Sequence, residues 1–239
     1  MIACSGCDVV LGLQRNSDDA APIDDGHDED GDSLTDLVDP CPADAGDAVD
    51  SDGDNVGDVC DPDDRPIDRR AYFEPFARPP VDWTLTSGAW TYRDDLLASN
   101  AIGMVSTTEH DVGQIDHATF EATFDATRPV FSSTGVRMTF ADGTVIGCLV
   151  NVGGGGETLN IYLGQTAQQT TPFSGGRALH LYVTHVAADN SIRCRAREAN
   201  GLPTTINFAT SIAASANKIA IVAQGSSIEV QSALVFGTR

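Results

Sequence analysis

The chain has 239 residues and a formal net charge of −21, with 35 Asp and Glu against 14 Lys and Arg. Phosphate backbones are bound by clustered Lys and Arg, so this balance excludes nucleic acid as the partner and points to cations. The charge is also localised: Asn16 to Asp68 holds 20 acids and one base, Arg65, whereas Arg69 to Arg239 holds 14 acids and 12 bases. The chain therefore divides into an N-terminal segment 1–23, an acidic segment 24–64 and a near-neutral part 65–239.

The N-terminal segment opens MIACSGCDVVLGLQR. Small residues before a cysteine resemble the end of a bacterial lipoprotein signal, in which the cysteine is lipidated; Cys4, after Ile2 and Ala3, or Cys7, after Ser5 and Gly6, would carry the lipid. The charged and apolar regions of such a signal are not part of the sequence, and the alternative is a terminus that simply carries a CxxC. A lipid at Cys4 or Cys7 is the one membrane attachment implied, because no stretch approaches the roughly 18 apolar residues of a membrane span.

The acidic segment repeats in register. DEDGDSLTDLVDPC (Asp28 to Cys41) and DSDGDNVGDVCD (Asp50 to Asp61) both read Asp-x-Asp-Gly-Asp-x-aliphatic-x-Asp, and a half-formed unit, DDGHD, begins at Asp24. Calcium takes six to eight oxygens, and an EF-hand loop supplies them from positions one, three, five and seven, the last through a backbone carbonyl. Those positions are Asp28, Asp30, Asp32 and Leu34 in one unit and Asp50, Asp52, Asp54 and Val56 in the other, with Asp36 and Asp58 at position nine. Gly31 and Gly53 stand at position four rather than six and no amphipathic helix flanks either loop, so this is not an EF-hand pair.

The segment VDPCPADAGDAVDSDGDNVGDVCDP resembles the thrombospondin type 3 repeat, whose pattern is DxDGDxxxDxxDxCP followed by DxDGDxxGDxCD. The resemblance implies a chain wrapped around at least two calcium ions, stapled by a disulfide between Cys41 and Cys60. It also implies Asp39, Asp44, Asp47 and Asp61 as shared or accessory ligands, with Asp24 contributed by the half-unit. Ser33 and Asn55 depart from the family, which often has glycine there. Independently, Leu34, Leu37, Val38, Val49 and Val56 are too few aliphatic residues to offset chain entropy by burial, so order is expected to depend on metal.

The near-neutral part reads as short alternating strands with turn residues between them. Candidate strands are IDHATFEATFDA, TGVRMTF, TVIGCLVNV, ETLNIYLG, ALHLYVTHV, SIRCRARE, KIAIVAQ and SIEVQSALVF, with hairpin turns at ADGT (Ala141 to Thr144) and ADNS (Ala188 to Ser191). The fold class is all-β, an antiparallel sandwich. DWTLTSGAWTYRDDLLAS, FEATFDAT with STGVRMTF, and KIAIVAQGSSIEVQSALVF together resemble the concanavalin A-like, or laminin-G-like, jelly roll. That family implies a closing strand that returns beside the first. Cys148 and Cys194 lie in strand-like segments, and cysteine usage as a whole suits an oxidising compartment.

Glycoside hydrolases of this fold need two carboxylates across the scissile bond, and their ExDxxE strand is absent; Glu121 and Asp125, four apart on one strand face, are read as ordinary exposed acids. GGGG at Gly153 to Gly156 lacks the Lys-Ser/Thr of a phosphate loop and reads as a hairpin tip. His110, His180 and His185 have no metal spacing around them, and Trp83 and Trp90 are expected in the core rather than stacked on sugars. The expectation is a non-catalytic, calcium-binding protein of the cell exterior or outer-membrane surface. An ordered stalk presents a lectin-like sandwich to a glycan or a surface protein, with calcium-dependent self-association as the alternative and a polysaccharide-active enzyme ranked last.

Overall fold

The computed structural model describes residues 26–45, 49–58, 60–61, 69–186, 190–198 and 203–238. Residues 1–25, and with them Cys4, Cys7 and Asp24, lie outside that set, as does Asp47. Among the described residues no helix is long and apolar enough to cross a membrane.

Period-two alternation of β-branched and aromatic residues with polar ones builds fifteen strands among the described residues. They are β1 (Arg70–Glu74), β2 (Thr84–Ser87), β3 (Trp90–Arg93), β4 (Leu96–Asn100), β5 (Val105–Ile115), β6 (His117–Thr127), β7 (Ser132–Phe140), β8 (Val145–Gly153), β9 (Gly156–Leu163), β10 (Thr166–Phe173), β11 (Ala178–Val186), β12 (Ser191–Glu198), β13 (Thr204–Ala209), β14 (Ala216–Gln224) and β15 (Ser227–Thr238). All eight sequence-derived strands are present. β1 to β5, β10 and β13 are not among them; β10 and β13 are hidden because TAQQTTPF and TTINFA carry mostly polar residues at edge positions. The turn at Ala141 to Thr144 joins β7 to β8, and the glycine run is the tip between β8 and β9.

The strands form two antiparallel sheets. One runs β13-β12-β11-β6-β15-β4-β3, with β1 also pairing β15; the other runs β10-β9-β8-β7-β14-β5-β2. The closing strand does return beside the first, with Phe73 opposite Leu234 and Glu74 opposite Ala233. Successive strands β14 and β15 enter different sheets, which ties the two layers together at their centres.

Between the sheets, Phe120 and Phe124 of β6, Leu179 and Leu181 of β11, Val136, Met138 and Phe140 of β7 and Ile219 and Ile221 of β14 form the buried core. Trp83 and Trp90 belong to it, as expected, and Trp83 donates its indole N–H to the Tyr72 hydroxyl at 2.8 Å. Strand β15 keeps facing the core only by breaking its own alternation. Ile228 and Val230 point inward, a bulge between Val230 and Ser232 shifts the parity, and Ala233 and Val235 then point inward. The same shift turns Leu234 and Phe236 to the outer face of the eight-stranded sheet, where they are buried against the acidic segment rather than exposed.

Cys148 of β8 and Cys194 of β12 are joined across the two sheets, with Cα atoms 5.4 Å apart. Within the seven-stranded sheet, Gly135 on β7 has no room for a side chain beside Cys148: a Cβ there would stand 2.2 Å from the Cys148 carbonyl oxygen. The bond closes a loop of 46 residues, which restricts the unfolded chain by about 4 kcal/mol. Replacing both cysteines by alanine is expected to lower the free energy of unfolding by roughly that amount, read as a lower urea midpoint. An unchanged midpoint would remove the bond from the stability account.

Candidate metal centres on the outer sheet face

Each acidic unit is a loop drawn around its own aspartates. In the first, Asp28 accepts from the backbone N–H of Gly31 at 2.8 Å and of Ser33 at 3.0 Å, Asp30 from Asp32 at 3.1 Å, and Asp32 from Leu34 at 2.8 Å. In the second, Asp50 accepts from Gly53 at 2.7 Å and Asn55 at 2.9 Å, Asp52 from Asp54 at 3.3 Å, and Asp54 from Val56 at 2.9 Å. The pattern is the same residue for residue. It requires left-handed backbone at positions four and six, so Gly31 and Gly53 have φ of 77° and 84°, and Ser33 and Asn55 are forced to 81° and 70°. The departures noted in the sequence are thus the two places where a side chain sits in a conformation that favours glycine.

The bonds use both oxygens of Asp28 and of Asp50 but only one of Asp30, Asp52 and Asp54, whose second oxygens are turned inward. Oδ2 of Asp30, Asp52 and Asp54 is buried without a hydrogen-bond partner. Within each triplet, Asp28, Asp30 and Asp32 or Asp50, Asp52 and Asp54, a carboxylate oxygen of every member lies within 4.8 Å of the others. Buried carboxylate oxygens are satisfied by donors or by cations. Here the backbone donors are already spent, and the all-oxygen set suits a hard ion such as calcium.

Position nine does a different job. Both Asp36 oxygens are occupied, by the Glu29 N–H at 2.9 Å and the His27 ring at 2.7 Å, and both Asp58 oxygens by the backbone and hydroxyl of Ser51 at 2.7 and 2.6 Å. They close the loops by hydrogen bonding. Asp39 accepts from the Cys41 N–H at 2.7 Å and lies near Asp32 and Asp36, while Asp61 lines a cleft of about 350 Å³ with Ser51, Asp52 and Asp58. Leu34 and Val56 hold their places in the loop through their N–H groups.

Crowded carboxylates resist ionisation. Desolvation, then repulsion from Asp36 and Asp30, pushes Glu29 up to about 8. Desolvation, followed by the charges of Asp39, Asp32 and Asp28, raises Asp30 to about 6 despite a backbone hydrogen bond that works the other way.

The segment does not project as a free stalk; it lies on the sandwich. The disulfide Cys41–Cys60, with Cα atoms 5.7 Å apart, and Val56 pack against Leu234, Phe236 and Phe73. Arg70, at the start of β1, donates to the carbonyls of Asp36 at 2.6 Å, Leu37 at 2.8 Å and Asp39 at 3.1 Å. Asp44 is the exception among the accessory residues: it joins neither loop cluster and instead meets Arg197, Tyr182 and His180 on the sheet.

This covering corrects the reading of Glu121 and Asp125 as exposed acids. Glu121 is 1% exposed, and the outward-facing His117, Thr119 and Thr123 of the same strand are buried as well. His180 has Glu121 and Thr123 as neighbours, so its environment is polar and shared rather than that of a lone core histidine. His110 stacks on Tyr72, with ring centres 4.0 Å apart, and His185 pairs with the Ile212 carbonyl at 3.1 Å.

No family model matches the chain, and no curated protein does. Solved structures do. A seed lectin of Lotus tetragonolobus superposes with a TM-score of 0.57 at 7% identity, over 70% of this chain and 98% of the lectin. The lectin of Bauhinia forficata in complex with GalNAc gives 0.54 at 10%, over 70% and 97%. The Bacteroides ovatus xyloglucan PUL GH43B gives 0.55 at 12%, over 68% of this chain and 38% of that one. At such identities the likeness concerns fold alone, and the fold is the concanavalin A-like jelly-roll sandwich of the legume lectins.

Proposed function

We propose that this chain is a calcium-dependent glycan-binding module of an oxidising, extracellular compartment, in which thrombospondin type 3-like loops bind calcium and hold the acidic segment on the sandwich. The observation that carries the calcium reading is the set of buried, unpartnered Oδ2 atoms in two loops of identical hydrogen-bonding pattern. Two disulfides support the compartment.

Glycan binding is supported by the lectin-like fold and by one end of the sandwich. There the turn 101–104, the loop before β7 and the β14–β15 turn converge: Ala101 N–H donates to Ser226 O at 2.9 Å, Gly225 N–H to Ala101 O at 3.0 Å, and Phe131 N–H to Val152 O at 2.7 Å. Ile102, Met104, Val130 and Phe131 are exposed on it, Phe131 by 83% with φ 69°. A bulky residue held in left-handed backbone with its ring in solvent is strain retained for contact, and an aromatic face is what sugars stack on. The chain acts by binding rather than turnover, since Glu121 is covered and cannot meet a polysaccharide.

Calorimetry on chelator-treated protein is expected to show at least two calcium ions bound, with protection of residues 26–61 from proteolysis; no binding at millimolar calcium would end the reading. Ser33→Gly relieves about 1 kcal/mol of backbone strain and should tighten calcium roughly fivefold, with a smaller gain for Asn55→Gly because asparagine tolerates that region. Without calcium the sign of the pH effect follows from carboxylates whose folded pKa is raised. The folded state holds more protons between about 4 and 8, so raising pH through that window in chelator should loosen the segment, and added calcium should reverse the trend. Phe131→Ala should abolish glycan-array binding with the thermal midpoint retained; undiminished binding would move the glycan site elsewhere.

A further inference from the structure

A third cluster of metal-ligating side chains stands apart from the two loops, where the acidic segment meets the eight-stranded sheet. Asp44 comes from the segment, Glu121 from β6 and His180 from β11; all are buried, and one ligand atom of each lies within 4.8 Å of the others. Around His180 Nδ1 stand Thr123 Oγ1 at 3.3 Å, Glu121 Oε1 at 3.4 Å and Asp44 Oδ1 at 3.9 Å. Thr123 Oγ1 and Glu121 Oε1 stand at the long end of hydrogen-bond distance to nitrogen, and Asp44 Oδ1 lies beyond it. Zinc at about 2.0–2.2 Å from nitrogen and oxygen donors sets tetrahedral ligands about 3.3–3.6 Å apart, a spacing that Glu121 meets and that Asp44 reaches by closing in by a few tenths of an ångström.

A second observation, independent of the spacing, points the same way. Glu121, 1% exposed, has its Oε2 buried without any hydrogen-bond partner. A carboxylate oxygen orphaned in this way is costly unless a cation is beside it. The remaining contacts have the character of an outer shell: Arg197 donates to Asp44 Oδ1, the Tyr182 hydroxyl to Asp44 Oδ2 at 3.3 Å, and Arg195 lies over the Tyr182 ring at 4.2 Å. Such partners orient a ligating carboxylate without replacing the metal.

We propose that Asp44, Glu121 and His180 form a binding site for a divalent ion of the zinc class, with a fourth position left to water, that pins the acidic segment to the sheet. The donor set separates it from the loops. One imidazole and two carboxylates match zinc, whereas the loops offer oxygen alone and suit calcium. Two carboxylates and a neutral imidazole also balance the charge of the ion, leaving Arg197 outside it. The site spans three chain segments distant in sequence, residues 44, 121 and 180, so no ligand spacing announces it.

The test uses the full chain, stripped of metal, reloaded with excess calcium to saturate the loops and titrated with cobalt(II) as the spectroscopic substitute for zinc. One equivalent should bind with the visible bands of a four-coordinate ion and be displaced by zinc. His180→Gln and Glu121→Gln should abolish the bands and Asp52→Asn, in the second loop, should retain them. Asp44→Asn, on the segment outside the sandwich, decides the matter should the sheet variants fail to fold, and is expected to weaken cobalt at least tenfold. Absence of the bands in the parent chain, or bands undiminished in folded His180→Gln or in Asp44→Asn, would overturn the site. Failure of calcium binding with the cobalt bands present would sink the calcium reading and leave this one standing.

Discussion

Mutual repulsion among aspartates held within 4.8 Å of one another is the constraint from which the rest of this structure follows. Each loop answers it first with backbone N–H groups, which bind both oxygens of Asp28 and Asp50 and one oxygen of Asp30, Asp52 and Asp54, and which go with left-handed backbone at residues 31, 33, 53 and 55. That answer is incomplete, because the second oxygens of Asp30, Asp52 and Asp54 remain buried and unpaired. The proposed calcium ion would complete it. Glu29 and Asp30, raised to about 8 and about 6, show how strongly the arrangement resists charge in the absence of such an ion.

Docking converts these loops into part of the sandwich. Among the described residues of the segment, Val56, Ala43 and the Cys41–Cys60 bridge are buried apolar groups, too little surface to fold alone, and Val56 and the bridge pack on Phe73, Leu234 and Phe236 of the sheet. This packing is possible because the bulge in β15 turns Leu234 and Phe236 outward while Ala233 and Val235 continue the inner core. Arg70 then fixes the angle of approach through three carbonyls of the first repeat. The consequence is that the outer face of β6 and β11, polar by its alternation, becomes an enclosed interface of Glu121, His180, Tyr182 and Thr123 rather than an open lectin surface.

Much of this was legible in the sequence. The register of Asp28, Asp30 and Asp32 with Asp50, Asp52 and Asp54 announced two loops of one design, since carboxylates that accept from backbone N–H groups two to five residues on repeat at a fixed local spacing. Alternation gave eight strands and the sandwich, and left out β1 to β5 along with β10 and β13, the last two being edge strands that tolerate polar residues on both faces. What escaped were the long-range consequences. The pairing of Cys148 with Cys194 depends on which strands face one another across the core, and the meeting of Asp44 with Glu121 and His180 depends on where the segment lies down. The one visible sign of the latter was Glu121 and His180 on outer strand faces that also carry Thr119, Thr123, Tyr182 and Thr184. Asp36 and Asp58, read as ligands by position, also accept the hydrogen bonds that close the loops.

The central claim is that a cation-ordered acidic segment is packed on the eight-stranded sheet. Amide hydrogen exchange, read peptide by peptide in calcium and in chelator, tests it most directly. The account predicts that calcium slows exchange together at Gly31, Ser33, Gly53 and Asn55, whose N–H groups close the loops, and at the β1 and β15 amides beneath them. Exchange in 26–61 that is equally fast in calcium and in chelator, with β1 and β15 unaffected, would contradict it.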